Sequence, residues 1–320
     1  MTAEDRVLFA AARQDFREEH RAAVEALAPD WEKVATIAES HGVAPIVGAN
    51  LKVESLHRAF YENVLIKAQE AERLARGIAR LREAGYQVML LKGIALDLLV
   101  YREPWVTTSK DADLLLRPER RLSADEKEVR RSLYRSGIEC DVLRHHDLDM
   151  NGVLPVRYDR IWAAARRVDY HGQEAFVMAN EDLLISLCIN SCRKRFFRLK
   201  HLFDIAESTR RLDLDWDRLA ARAREDRCEG IVHTALHVTT ETLGCQVPAG
   251  ALEALGVPRL RARLIRRLVD RFLRRGSLSI PPPPWLPYAS YSFVQALRLF
   301  RVALTWQAPA HHRPLTQTIG

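Results

Sequence analysis

The sequence predicts an α+β fold, with a small sheet embedded between N-terminal and C-terminal helical regions. Three observations predict it. Residues 4 to 83 keep a helical period, residues 87 to 178 break into short apolar or alternating runs, and the helical period returns at Asn180. The expected divisions are a helical region at 1–84, a sheet-bearing core at 85–179, a second helical region at 180–275, and a proline-rich connector, final helix and tail at 276–320.

In the first region, Asp30 has the place of an N-cap before WEKVATIAESH, and Gly42 the place of a stop. From Leu56 the set Phe60, Val64, Ala68, Ala71, Leu74, Ile78 and Leu81 recurs at steps of three and four, which predicts a long helix with one buried stripe. Gly85 ends it. QVMLL then reads as a central strand, and the chain turns at Lys92-Gly93 into a helix, IALDLLVY. A glycine at a helix start lets backbone N–H groups approach an anion. Lys92 at that bend either contacts a phosphate or pairs with a nearby carboxylate.

The next strand carries Asp111 and Asp113 directly before Leu114, Leu115 and Leu116. Side chains two apart on a strand point to the same side, so the two carboxylates sit together at the rim of a buried sheet. Such a pair needs a cation or a proton to offset the cost of burial. Hard oxygen ligands suit Mg²⁺ that also binds phosphate. Taken alone, D-x-D is a weak signal, since acidic residues often cap strands or face water.

Ser123 to Glu126 forms a capping box for a helix that carries Val129 and Leu133 and ends at Gly137. IECDVL follows as a strand expected beside the D-x-D strand, with Glu139 and Asp141 on one side and Ile138, Cys140 and Val142 on the other. His145 and His146 are adjacent, and adjacent side chains on extended chain diverge, so they read as a loop near the pocket rather than a ligand pair. Segments such as VRYDRIW and EAFVMA predict edge strands or a hairpin around His171-Gly172.

Asn180 reads as the cap of EDLLISLCIN. Arg193, Lys194, Arg195, Arg198 and Lys200 then cluster with Phe196, Phe197, Leu199, Leu202 and Phe203 interleaved. This is either a set of phosphate-binding cations closing over the sheet or a solvated basic helix face, with Asp204 placed to anchor an arginine. Pro258 opens PRLRARLIRRLVDRFLRR with a Leu260, Leu264, Leu268, Phe272 stripe. Pro281 to Pro284 make a stiff connector, and SFVQALRLFRVALTW a last helix before a polar end.

Composition sets outer limits. A chain of 320 residues, 48% apolar and 28% charged, buries a substantial core. VMLLKGIALDLLV is interrupted by Lys92 and Asp97, so no membrane span is expected. The acidic start MTAEDRVLFAAARQDFREEH is unlike a signal peptide, and a cytoplasmic location is expected. The five scattered cysteines read as buried thiols, Cys188 and Cys192 included. A formal charge of +7 invites a nucleic-acid reading, but no RNA-binding motif accompanies it.

LLKGIALDLLVYREP followed by KDADLLLRP resembles nucleotidyltransferase family proteins of the polymerase-β-like superfamily, in the branch with a helical segment ahead of the sheet. EDLLISLCINSCRKRFFRLKHLFDIAES resembles the helical part of that branch, and the likeness covers most of positions 30 to 245. It implies a small mixed β-sheet nucleotidyltransferase core. By the same resemblance, Gly93 opens the helix beside a triphosphate, Lys92 is the usual residue of this branch, and Asp111 and Asp113 bind the metal. A third carboxylate from the neighbouring strand, Glu139 or Asp141, completes a second Mg²⁺ site and helps deprotonate the attacking hydroxyl. Two departures stand out: Thr107 and Thr108 occupy the region where members place an arginine, and Asn190 stands where a histidine is common.

The expected activity is metal-assisted transfer of a nucleoside monophosphate from an NTP to an acceptor that is a small molecule, peptide, protein or RNA. Asp111, Asp113 and Glu139 or Asp141 are the catalytic acids, with Asp111, Asp113 and Asp141 as metal ligands. Lys92, Gly93, Lys194, Arg195, Arg198 and Lys200 face the nucleotide. The alternative is a non-catalytic binding or scaffold protein that keeps the fold.

Overall fold

A computed structural model describes residues 2–108, 112–118, 133, 138–142, 144–245, 247–248, 250–275, 278, 290–291 and 295. Helices α1 (Ala3–Ala11), α2 (Glu18–Glu25), α3 (Trp31–His41), α4 (Ala44–Leu51) and α5 (Glu54–Glu83) precede strand β1 (Tyr86–Leu90). Then follow α6 (Lys92–Leu99), β2 (Ala112–Pro118), β3 (Ile138–Val142), α7 (Tyr158–Ala163), β4 (Arg166–Tyr170) and β5 (Gln173–Val177). The remaining helices are α8 (Asn180–Arg193), α9 (Leu199–Arg211), α10 (Trp216–Glu225), α11 (Glu229–Leu243), α12 (Ala251–Ala254) and α13 (Arg259–Arg275).

The five strands form one mixed sheet in the order β3-β2-β1-β5-β4. β1 is central, as the run QVMLL predicts. It is antiparallel to β2 and parallel to β5, while β2 and β3 run parallel. Tyr86, Val88, Leu90, Leu114, Leu116 and Ile138 share one buried face by register. α5 covers it so closely that a Cβ on Gly77 would lie 2.9 Å from Ile138 Cδ1. β4 and β5 form the expected hairpin, with φ of 49° at His171 and 79° at Gly172, as a two-residue hairpin turn requires.

Asp30 caps α3 by accepting from the N–H groups of Glu32 and Lys33 at 3.1 and 3.2 Å, and Gly42 closes it at φ 72°. The long helix extends over Glu54–Glu83, but its buried stripe departs from the expected one. Asn63 and Lys67 are buried in the middle of it, while Leu65 and Ile66 are exposed. Both polar groups are satisfied. Asn63 Nδ2 donates 2.6 Å to Trp105 O, and Lys67 Nζ donates 3.1 Å to Asp97 Oδ2 of α6. Tertiary hydrogen bonding therefore overrides the apolar period at this point.

Other expectations are corrected in the same way. VRYDRIW is not a strand but contains α7, because Arg160 is drawn to Asp182, Glu225 and Asp226 while Ile161 and Trp162 are buried. Asn180 is the first residue of α8 rather than its cap, its amide oxygen accepting 2.7 Å from Arg166 and its Nδ2 donating to Asp213 O. On α13, Leu260 and Leu264 are exposed, and Ile265 and Val269 are the buried pair. The helix expected from Ser123, the Pro281–Pro284 connector and the last helix lie almost wholly outside the described residues. Among the described residues no helix is long and apolar enough to cross a membrane. Cys188, Cys192, Cys228 and Cys245 are free and buried.

Candidate active site

β1 ends at Leu90, and the chain bends through Leu91 into α6. The left-handed conformation at this bend falls on Lys92, at φ 48°, and not on Gly93, which is simply a buried residue in the first turn of α6. A non-glycine residue there is strained by roughly 1 kcal/mol. The bend aims the Lys92 side chain across the sheet end, where its Nζ lies 3.0 Å from Asp113 Oδ1 and 2.6 Å from Asp147 Oδ2. Lys92 thus makes the carboxylate pairing the sequence left open.

Asp113 is the second residue of β2, and its side chain is 13% exposed. Asp111 lies outside the described residues, β2 being described from Ala112. Across the parallel ladder Glu139 stands opposite Asp113, and Asp141 opposite Leu115. His146 donates to Asp141 Oδ2 twice, from its backbone N–H at 3.0 Å and from Nδ1 at 2.8 Å. His146 Nε2 lies 3.1 Å from Asp147 Oδ1.

The loop that holds Asp147 was the least legible part of the sequence. Tyr158 of α7 clamps it by accepting from His145 N at 3.0 Å and donating to His145 O at 2.9 Å. Positive φ at Met150 and Asn151 then folds it back, with Arg144 binding Asp149 and Gly152 N–H donating to the same carboxylate. His145 and His146 do not diverge but stack, ring planes 4° apart. The His145 ring is buried, its Nδ1 3.9 Å from Asp141 Oδ2 and its Nε2 3.8 Å from Asp113 Oδ1. That Nε2 is a buried atom without a hydrogen-bond partner among the described residues.

The cationic cluster divides. Arg193, the last residue of α8, reaches Asp147 with its guanidinium. The single helix expected from the run after it is broken, because Arg195 and Phe196 have φ of 62° and 55° and α9 begins at Leu199. Lys194, Arg195 and Arg198 are exposed on this bend. Lys200 is turned away into an ion pair 2.9 Å from Asp204, which also accepts from the buried Tyr101 hydroxyl. Asp204 therefore anchors a lysine and a tyrosine, not an arginine.

Lys92, His145, Asp147, Ser186 and Asn190 line one small pocket, closed on its apolar side by Leu91, Leu148 and Met178. The electrostatics are internally matched. Burial pushes the Asp113 carboxyl up, but His145 and Lys92 outweigh it and hold the group below the usual range. Burial likewise opposes ionisation of Asp147, and His146, Lys92 and Arg193 overcome it by a wide margin. Lys92 is desolvated, yet Asp113 and Asp147 raise its pKa. Hydrogen bonds to Asp141 and Asp147 raise His146 to about 10. His146 is thus an imidazolium between two carboxylates.

The sign of this last shift gives a test. An imidazole raised from about 6.5 in the unfolded chain contributes stability that is fully present below that pH and is lost as pH climbs through its folded value of about 10. Urea unfolding followed from about pH 6 to about pH 10 in the presence of a chelator should show this decline, and His146→Gln should flatten it. An unchanged slope in the variant would contradict the pairing.

Asp141, His145 and His146 each offer one ligand atom, all within 4.8 Å of one another. Since His146 spends both ring nitrogens on carboxylates and His145 Nδ1 accepts from the Asp147 N–H at 3.2 Å, which makes Nε2 that ring's N–H donor, the groups that suit a hard divalent cation are the carboxylates of Asp113 and Asp141.

The mixed sheet, with acids near the ends of two parallel neighbours and a lysine at the strand-to-helix bend, fits an α+β nucleotidyltransferase core. The chain belongs to the family described as "uncharacterised nucleotidyltransferase", whose profile matches residues 28–244 and takes in every element from α3 to α11. Membership supports transferase activity in general. No curated protein and no solved structure matches the chain.

Proposed function

We propose that the protein is a Mg²⁺-dependent nucleotidyltransferase that moves an NMP from an NTP to an acceptor hydroxyl, amine or phosphate. The observation that carries this reading is the chain of contacts Asp113–Lys92–Asp147–Arg193 beside Asp141, within a member of a nucleotidyltransferase family. It gathers acids for a metal and cations for a triphosphate at one sheet end.

Asp113, with Asp111 and Asp141 or Glu139 from their sequence positions, would hold the metal. A bound Mg²⁺ supplies Lewis-acid polarisation of phosphoryl oxygens. Lys92 and Arg193 are the cations that meet phosphate oxygens, Arg193 exchanging part of its hold on Asp147 for the nucleotide. Lys194, Arg195 and Arg198 extend this positive surface on the neighbouring bend. In the transfer, the acceptor atom bonds to the α-phosphorus as the bond from that phosphorus to the α,β-bridging oxygen breaks. Pyrophosphate leaves with the electron pair, and the acceptor's proton passes to a carboxylate of the Asp141 and Glu139 strand.

The decisive measurement is calorimetric titration with each NTP, with and without Mg²⁺. Binding is expected only, or far more tightly, with the metal. An absence of NTP binding in both conditions would remove the enzyme reading and favour a fold kept for binding. A label at the α-phosphate would then report, by its arrival on a macromolecule or a small product, which acceptor class is used.

A further inference from the structure

We infer that Lys92 is a resident cation that holds the place of a second metal ion, so that the site works with one divalent ion rather than two. This rests on the nucleotidyltransferase reading and narrows it.

Lys92 Nζ bridges two carboxylates from different elements, Asp113 of β2 and Asp147 of the loop after β3, at 3.0 and 2.6 Å. That is the bonding position of a bridging cation. An ion placed between the same two carboxylates would have to expel an ammonium already hydrogen-bonded to both. The ammonium is also hard to move, because its side chain is 21% exposed and its backbone is committed to the left-handed region. Gly93, the next residue, would adopt that region without strain, yet the strain falls on the lysine, where it serves to direct the side chain.

Charge leads to the same count. Among the described residues of the cluster, the acids Asp113, Asp141 and Asp147 are accompanied by two fixed cations, Lys92 between Asp113 and Asp147 and Arg193 on Asp147. Asp111 adds one further negative charge by sequence. One divalent ion is accommodated by that excess together with the incoming triphosphate. A second would stand beside an ammonium and a guanidinium.

The division of labour follows from where the contacts fall. Among the described residues, both polar contacts of the Asp113 carboxylate are on Oδ1, with Lys92 at 3.0 Å and His145 at 3.8 Å. Oδ2 is then the oxygen that turns to the single metal. When pyrophosphate leaves, the charge that develops on it is met by Lys92, a cation fixed to the chain that needs no exchange with solvent.

The test counts Mn²⁺ bound per full-length chain by electron paramagnetic resonance, with and without non-hydrolysable analogues of the four NTPs, whose own binding is measured by dialysis. One Mn²⁺ is expected on the native chain and two on Lys92→Met. Lys92→Arg, which keeps the charge, should remain at one and controls for misfolding, with circular dichroism checked for all three. Two ions on the native chain, no ion at all, or a Lys92→Met chain that stays at one would each overturn the inference. The two readings fail separately. Two Mn²⁺ with a bound analogue would sink the resident cation and leave the transferase. A count that rises from one to two with no analogue bound would do the reverse.

Discussion

Asp113→Asn is expected to weaken Mg²⁺-dependent NTP binding by at least about 100-fold, roughly 2.7 kcal/mol, and to slow nucleotidyl transfer by a further factor of ~10 or more. Asn keeps the shape and one acceptor oxygen toward Lys92, but it removes the charge a metal needs. The sign without metal is the more telling part. Removing one negative charge from the cluster lowers its repulsion toward a polyanion, so NTP binding in a chelator should stay level or tighten. Calorimetry on both chains, with and without Mg²⁺, reads both effects. If the variant keeps its metal-dependent affinity within a few-fold, Asp113 is only the structural partner of Lys92, and the metal is held elsewhere.

Asp147→Ala should be the most destabilising single change in the site. Its carboxylate, 15% exposed, is the one acid that Lys92, His146 and Arg193 all share. Asp113 and Asp141 retain partial hold of the first two, but Arg193 loses its only ion pair among the described residues. Breaking a buried pair by removing one partner costs about 3–5 kcal/mol, and with this much residual solvent roughly 2–4 kcal/mol is expected. Scanning calorimetry should show a melting temperature lower by about 5 °C or more. Asp147→Asn, which keeps one acceptor oxygen, should recover part of the loss. Two variants that melt with the native chain would mean that the three cations are held by something other than Asp147.

Asp147 also marks the boundary of what the sequence made legible. The D-x-D pattern is weak alone, but two acids directly before three leucines, in a run that resembles a nucleotidyltransferase motif, single it out. RHHDLD carries no such pattern. Its residues converge only because Tyr158 clamps the loop backbone and positive φ at Met150 and Asn151 turns it back over the sheet end. Arg193 was visible as one cation among five. Its selection over Lys194, Arg195 and Arg198 depends on where α8 stops, and Lys200 is withdrawn by the buried Asp204.

The long helix shows the same limit within the fold. Its length and both ends were readable, yet Asn63 and Lys67 are buried where the apolar period would put Val64 and Ala68, because Trp105 O and Asp97 lie opposite them. Periodicity records which side chains prefer to leave water. It does not record which polar groups will find partners once other elements arrive.

By itself the sequence determined the α+β class, the central place of β1, the pairing of the D-x-D strand with the strand of Glu139 and Asp141, and the hairpin turn at His171-Gly172. These follow from local conformational preference and from period-two burial, both of which act over a few residues. Only the tertiary structure decided that Lys92 bridges Asp113 and Asp147, that His146 lies between Asp141 and Asp147, and that Arg193 closes the cluster. Each of those contacts joins residues from separate elements. The energy that selects them is the pairing of charges removed from water, which exists only after the chain has brought them together.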